Sequence, residues 1–175
     1  MKKFALILFI LSAAVTGTDA QKAAAAAKAD PSKAVRDTFE RLLDGIRQVD
    51  ADKVMSVYHN HSRTLFFNNN GSVTIGWDTM RQNRESLYEK TKNVSLDVTG
   101  VRVEMLGARS AYVSCKWKQS QEYEGKVEQA SGRMTLIFQL IGKDWKVVHA
   151  HTSPDNPPAN RPVLPSERTT TQEPR

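Results

Sequence analysis

The sequence predicts an α+β fold, with helices packed on one face of a mostly antiparallel sheet. Three observations carry that prediction. Apolar residues recur at helical spacing as far as Tyr88, then at a period of two from Val94 onward. The helical stretches are thereby segregated from a run of consecutive strands, which favours α+β over a regular α/β alternation. The run closes on a hairpin, Gly132–Ser153, rich in β-branched and aromatic residues on both sides of a Gly-containing turn.

The elements follow in order. Asp30-Pro31 supplies a capping oxygen and a proline for a first helical turn, and Val35, Phe39, Leu42, Leu43, Ile46 and Val49 follow at helical spacing. Asp50-Ala51-Asp52 breaks that helix and caps a short second one, which buries Val54, Val57 and Tyr58 and ends near His59. Arg63–Phe67 and Val73–Ile75 flank Asn68-Asn69-Asn70-Gly71, residues that tolerate the positive φ of a hairpin turn. A third helix follows Gly76, with Trp77, Met80, Arg84, Leu87 and Tyr88 on one side. Strands are predicted at Val94–Met105, Ala111–Tyr123, Met134–Ile141 and Trp145–His151, giving the order ααββαββββ. In the last strand the period of two puts Trp145, Val147, His149 and His151 on one side, with Lys146, Val148, Ala150 and Thr152 on the other. Both sides are partly apolar, which predicts an interior strand covered on both faces.

The ends read differently from this middle. Lys2-Lys3, the apolar run Phe4–Val15 and the small residues to Ala20 have the order of a secretory signal cut after Ala20, and the run is too short to span a membrane. The expected organisation is therefore a signal peptide at 1–20, an Ala/Lys-rich linker at 21–33, a domain at 34–153 and a disordered Pro-rich tail at 154–175. A secreted or periplasmic protein follows, with no membrane attachment in its mature form. The net charge of +6 is spread along helices and strands without interleaved aromatics, so no nucleic-acid partner is expected. Cys115, the single cysteine, excludes an internal disulfide and sits in an apolar strand as a small hydrophobe. Asn60-His61-Ser62, Asn70-Gly71-Ser72 and Asn93-Val94-Ser95 match the glycosylation acceptor pattern, which has meaning only in a eukaryotic secretory route.

Gly132-Arg133-x-Thr135, the apolar strand, the turn, and Trp145-Lys146-Val147-Val148-His149-Ala150-His151-Thr152-Ser153 resemble the C-terminal signature of SnoaL-like domains of the nuclear transport factor 2-like superfamily. They are similar also to the end of the calcium/calmodulin-dependent kinase II association domain. Gly76-Trp77-Asp78 and Lys116-Trp117 are further marks of the resemblance, which covers about Ala34–Ser153. It implies a curved sheet wrapped on three helices into a cone, with a pocket at the open end. It also implies a carboxylate base just after the second helix in the superfamily's enzymes. Here the position of the ketosteroid isomerase base falls at about Phe66 and that of its oxyanion-hole tyrosine at about Leu42, so neither group is present.

Two imidazoles at alternate strand positions, His149 and His151, lie about 7 Å apart on one face, which suits pocket hydrogen bonding, a general base or shared metal ligation. Metal would need a third ligand, which at most one of His59 and His61 could supply because i and i+2 on a helix point apart, and no metal or other cofactor is expected. Ala111, Val113, Cys115 and Trp117 form a core or subunit-contact face, leaving Tyr112, Ser114, Lys116 and Lys118 to solvent or pocket, with Lys116 a cation for an anionic ligand. The residues expected to bind ligand are Tyr58, Trp77, Tyr112, Lys116, His149 and His151, the two histidines doubling as candidate catalytic residues. The function expected is non-catalytic binding of a small molecule in the cone. The alternatives are a small-molecule isomerase, lyase or hydrolase with a histidine base, and an assembly domain. A homodimer or larger homo-oligomer is expected to cover the Val113-Cys115-Trp117 face.

Overall fold

The computed structural model describes residues 30–155, so the signal segment, the linker as far as residue 29 and the tail from residue 156 lie outside the described residues. Helix α1 spans Pro31–Arg47, and the Asp30 carboxylate caps it by accepting from the Ser32 amide at 2.9 Å. Its stripe of Val35, Phe39, Leu42 and Leu43 is fully buried. The stripe stops short of Val49. The Asp50 amide donates to Gly45 at 2.9 Å and the Val49 amide to Ile46 at 3.1 Å, the two bonds of a Schellman turn, which places Val49 beyond the helix at a φ of 56°. Asp50 then caps helix α2, Ala51–Val57, through the Lys53 amide at 2.8 Å.

The remaining elements are β1 (Leu65–Phe67), β2 (Val73–Ile75), helix α3 (Trp77–Tyr88), β3 (Thr91–Met105), β4 (Ser110–Tyr123), β5 (Lys126–Ile141) and β6 (Asp144–Pro154), in the predicted order. They form one curved, unclosed six-stranded sheet, β2-β1-β6-β5-β4-β3, in which only β1 and β6 run parallel. β6 is interior, as expected. β5 starts at Lys126, eight residues before the predicted Met134, because its polar first half pairs with β4 right up to the turn at Glu124-Gly125. A ladder of main-chain bonds holds a strand that hydrophobic alternation does not announce. β1 is shorter than expected, since Arg63 and Thr64 form a turn in which the Thr64 hydroxyl donates to His59 at 2.7 Å.

Irregular pairing sets which side chains face inward. β3 shifts register against β4 between Lys92 and Ser95 and again between Thr99 and Arg102, and such bulges bend the sheet. β6 carries a third bulge. Phe138 pairs with Val147 and Ile137 with His149, so Val148 has no partner and every residue beyond it changes sides. Trp145, Val147 and Ala150 are buried on the helix side, and Leu136, Phe138, Val113 and Cys115 join them there. His149 and His151 are thus on the opposite, outer face, where the Phe67 ring meets them edge-on at 5.3 and 5.5 Å. This corrects the expectation that they share a side with Trp145. The face of Val113, Cys115 and Trp117, expected to await a second subunit, is the one the helices cover.

Gly132 fixes the β4-β5-β6 contact. A Cβ there would lie 2.1 Å from the Ser153 carbonyl oxygen and 3.1 Å from Cζ2 of Trp117. Val49 presents the reverse case, a β-branched residue in a left-handed conformation that favours glycine. Thermal unfolding should therefore move in opposite directions in two variants. Gly132→Ala is expected to lose about 2–4 kcal/mol through the clash, and Val49→Gly to gain about 1 kcal/mol by relieving the backbone.

Candidate functional site

The inner face of the sheet and the helices enclose a pocket of about 920 Å³. Its depth is set by buried residues from almost every element: Leu42 of α1, Tyr58 after α2, Phe66 of β1, Met80 of α3, Leu96 of β3 and Ala150 of β6. Trp117 and Met134 complete an apolar interior. Towards the mouth the lining changes to carboxamides: Asn68, Asn69 and Asn70 of the β1-β2 turn, Asn83 of α3, and Gln119, Gln121 and Gln129 of the β4-β5 arm. The parity of β4 explains the shift, because Gln119 and Gln121 continue the inward series Ala111, Val113, Cys115, Trp117 beyond the point where the helices cover it.

Tyr58 is 6% exposed and packs edge-on against Phe66 with ring centres 4.9 Å apart. Burial pushes its hydroxyl up to about 12, with the Arg84 charge opposing the shift, so the phenol stays neutral and able to donate. Arg84 stacks over the Tyr88 ring at 5.3 Å. Burial also raises the Tyr88 hydroxyl, opposed by the charge and N–H groups of Arg84 beside it, and among the described residues that hydroxyl meets no partner in good hydrogen-bonding geometry. The Trp117 indole N–H is buried too, without a partner among the described residues.

Of the residues expected from sequence to bind ligand, Tyr58 lines the pocket; Trp77, Tyr112, Lys116, His149 and His151 do not. Trp77 ties α3 to α2, donating from its indole to Met55 at 3.2 Å. Tyr112 and Lys116 point away from the pocket, paired with Ile137 and Arg133 on the outer face. His149 is on that face as well, its Nδ1 buried without a partner among the described residues. Among the described residues no three His, Cys, Asp or Glu side chains come together in a metal-binding group. Phe66 and Leu42, the residues at which the resemblance led a catalytic acid and phenol to be sought, do line the pocket, and there they present hydrocarbon. Sequence reasoning missed the carboxamides. Asn68–Asn70 were legible only as a turn, whereas the inward parity of Gln119 and Gln121 with Trp117 was available.

A family model described as SnoaL-like domain matches residues 35–157. No curated protein matches the sequence. Among solved structures, a nuclear transport factor 2-like superfamily protein from Salmonella enterica serovar Typhimurium has a TM-score of 0.67 at 16% identity, over 76% of this chain and 96% of that one. A ketosteroid isomerase-like protein from Erwinia carotovora atroseptica scores 0.63 at 14% identity, over 74% and 99%. A protein of the same fold and unknown function from Shewanella oneidensis scores 0.57 at 17% identity, over 71% and 99%. At these identities the likeness is one of fold, a cone of three helices and a curved sheet.

Cys115 borders this interior, 6% exposed, and burial pushes its thiol up to about 11. Only the thiolate is nucleophilic. At pH 8 the native protein is expected to react with iodoacetamide at least about 100-fold more slowly than the guanidinium-unfolded chain. Comparable rates would place the thiol at the surface.

Proposed function

We propose, since the chain belongs to the SnoaL-like domain family, that it binds a small organic molecule in the open end of its cone and leaves that molecule chemically unchanged. The observation that carries this reading is the pairing of a roomy pocket with hydrocarbon at Phe66 and Leu42, where an isomerase-like centre needs an acid and a phenol. Tyr58 and the unpartnered Trp117 indole offer neutral donors, and the carboxamide rim offers donors and acceptors without charge. The outer-face position of His149 and His151 weighs against a histidine-dependent enzyme. The order of charged, apolar and small residues in positions 1–20 supports an exported binder.

The neutral dye N-phenylnaphthylamine is a direct probe. Its fluorescence should rise on binding. Leu96→Trp fills the depth of the pocket and Ala130→Trp narrows the mouth from an exposed position, so each should weaken binding by at least about tenfold. Dye binding that ignores both substitutions would put the ligand elsewhere.

Assembly is the second part of the proposal. Sheet register sets Ile75, Leu65, His149, Ile137 and Tyr112 in one cross-strand row of the outer face and Val73, Phe67, His151, Thr135 and Ser114 in the next. Ile75 is 62% exposed, Val73 53% and Phe67 39%, a contiguous apolar end that a second copy would cover. By light scattering at tens of micromolar the wild type should have the mass of a homodimer or larger ring, and Phe67→Glu with Ile75→Lys that of a monomer. A monomeric wild type would remove this part of the proposal.

A further inference from the structure

Arg84 is the one cation that lines the pocket among the described residues, and it enters none of their ion pairs. Its neighbour on the same helix shows the contrast. Arg81 bridges Asp52 and Glu85, so its charge is neutralised within the protein. Arg84 is instead laid along the Tyr88 ring, half-buried beside an apolar interior, where its charge acts on the phenols of both Tyr58 and Tyr88. The carboxylate that lines the same pocket, Glu128, accepts from Gln121 at 3.2 Å and does not pair with Arg84. The Asn and Gln side chains of the rim are neutral and supply no counter-charge.

We infer that Arg84 anchors an anionic head group, a carboxylate or sulfonate, of a ligand whose aromatic or aliphatic body packs against Tyr58, Phe66, Leu96 and Trp117. The inference rests on the pocket reading above and names the chemical class that the pocket selects. A planar guanidinium meets such a head group with two parallel N–H donors. Partial exclusion of water strengthens the attraction over that of a surface pair. Lys116, the cation expected from sequence, is on the other face of the sheet and cannot serve this pocket.

Two dyes that share one aromatic body separate the anchor from the pocket. Anilinonaphthalene sulfonate carries the anion and N-phenylnaphthylamine lacks it. Titrated by fluorescence into the full protein at pH 7.5, the sulfonate should bind the wild type about tenfold more tightly than the neutral dye. Arg84→Met keeps the aliphatic stem and removes the charge, so it should abolish that preference, and a thermal unfolding midpoint equal to the wild type's certifies the fold. Arg84→Lys should keep part of the preference. Equal binding of the two dyes by the wild type, or an undiminished preference in Arg84→Met, overturns the anchor and leaves the pocket reading intact. A wild type that binds neither dye overturns both.

Discussion

The inside of this protein is decided by one residue of sheet geometry. Val148 sits opposite nothing in β5, and because side chains alternate strictly along a strand, that single insertion reverses every position after it. Ala150 and Thr152 come to the pocket as a result, and His149 and His151 go to the outer face. A regular β6 would have reversed this, putting two imidazoles where small, uncharged groups now stand. The chemistry of the interior therefore follows from a backbone irregularity more than from the composition of the strand that carries it.

This explains how far the sequence could be read. The helices were legible because their burial stripes are long and their caps explicit, as at Asp30-Pro31 and Asp50. Element order and the interior place of β6 were legible because Trp145, Val147 and the Gly142 turn are strong local signals. The bulge was not, because Val148 and Ala150 are apolar on both sides of the strand, and alternation cannot report a parity change when neither parity is polar. Its one trace is the doublet Val147-Val148. Val49 misled for a related reason: it fits the helical spacing of Leu42 and Ile46, and only the hydrogen bonds of the turn show that the helix has already ended.

The pocket divides its tasks by depth. Hydrocarbon and tyrosine fill the interior, amides crowd the mouth, and the Arg84 charge stands between them beside two phenols kept neutral by burial. Such a lining suits recognition better than proton transfer. Amides hydrogen-bond in both senses but do not titrate near neutrality, and a phenol raised to about 12 holds its proton.

The parallel pairing of β1 with β6 bears on how the chain reaches this state. The Thr152 hydroxyl donates to the Phe67 carbonyl across 85 positions, and the β1-β2 hairpin joins the sheet through β6 alone. During synthesis the residues before Asp144, about four-fifths of the chain, therefore offer no template on which that hairpin can dock, and closing so long a loop is slow compared with local helix formation. The last strand to leave the ribosome completes the sheet from within. A chain released before His149 would lack the residues with which β1 pairs, so degradation machinery would meet it with the hairpin undocked and part of its apolar interior uncovered.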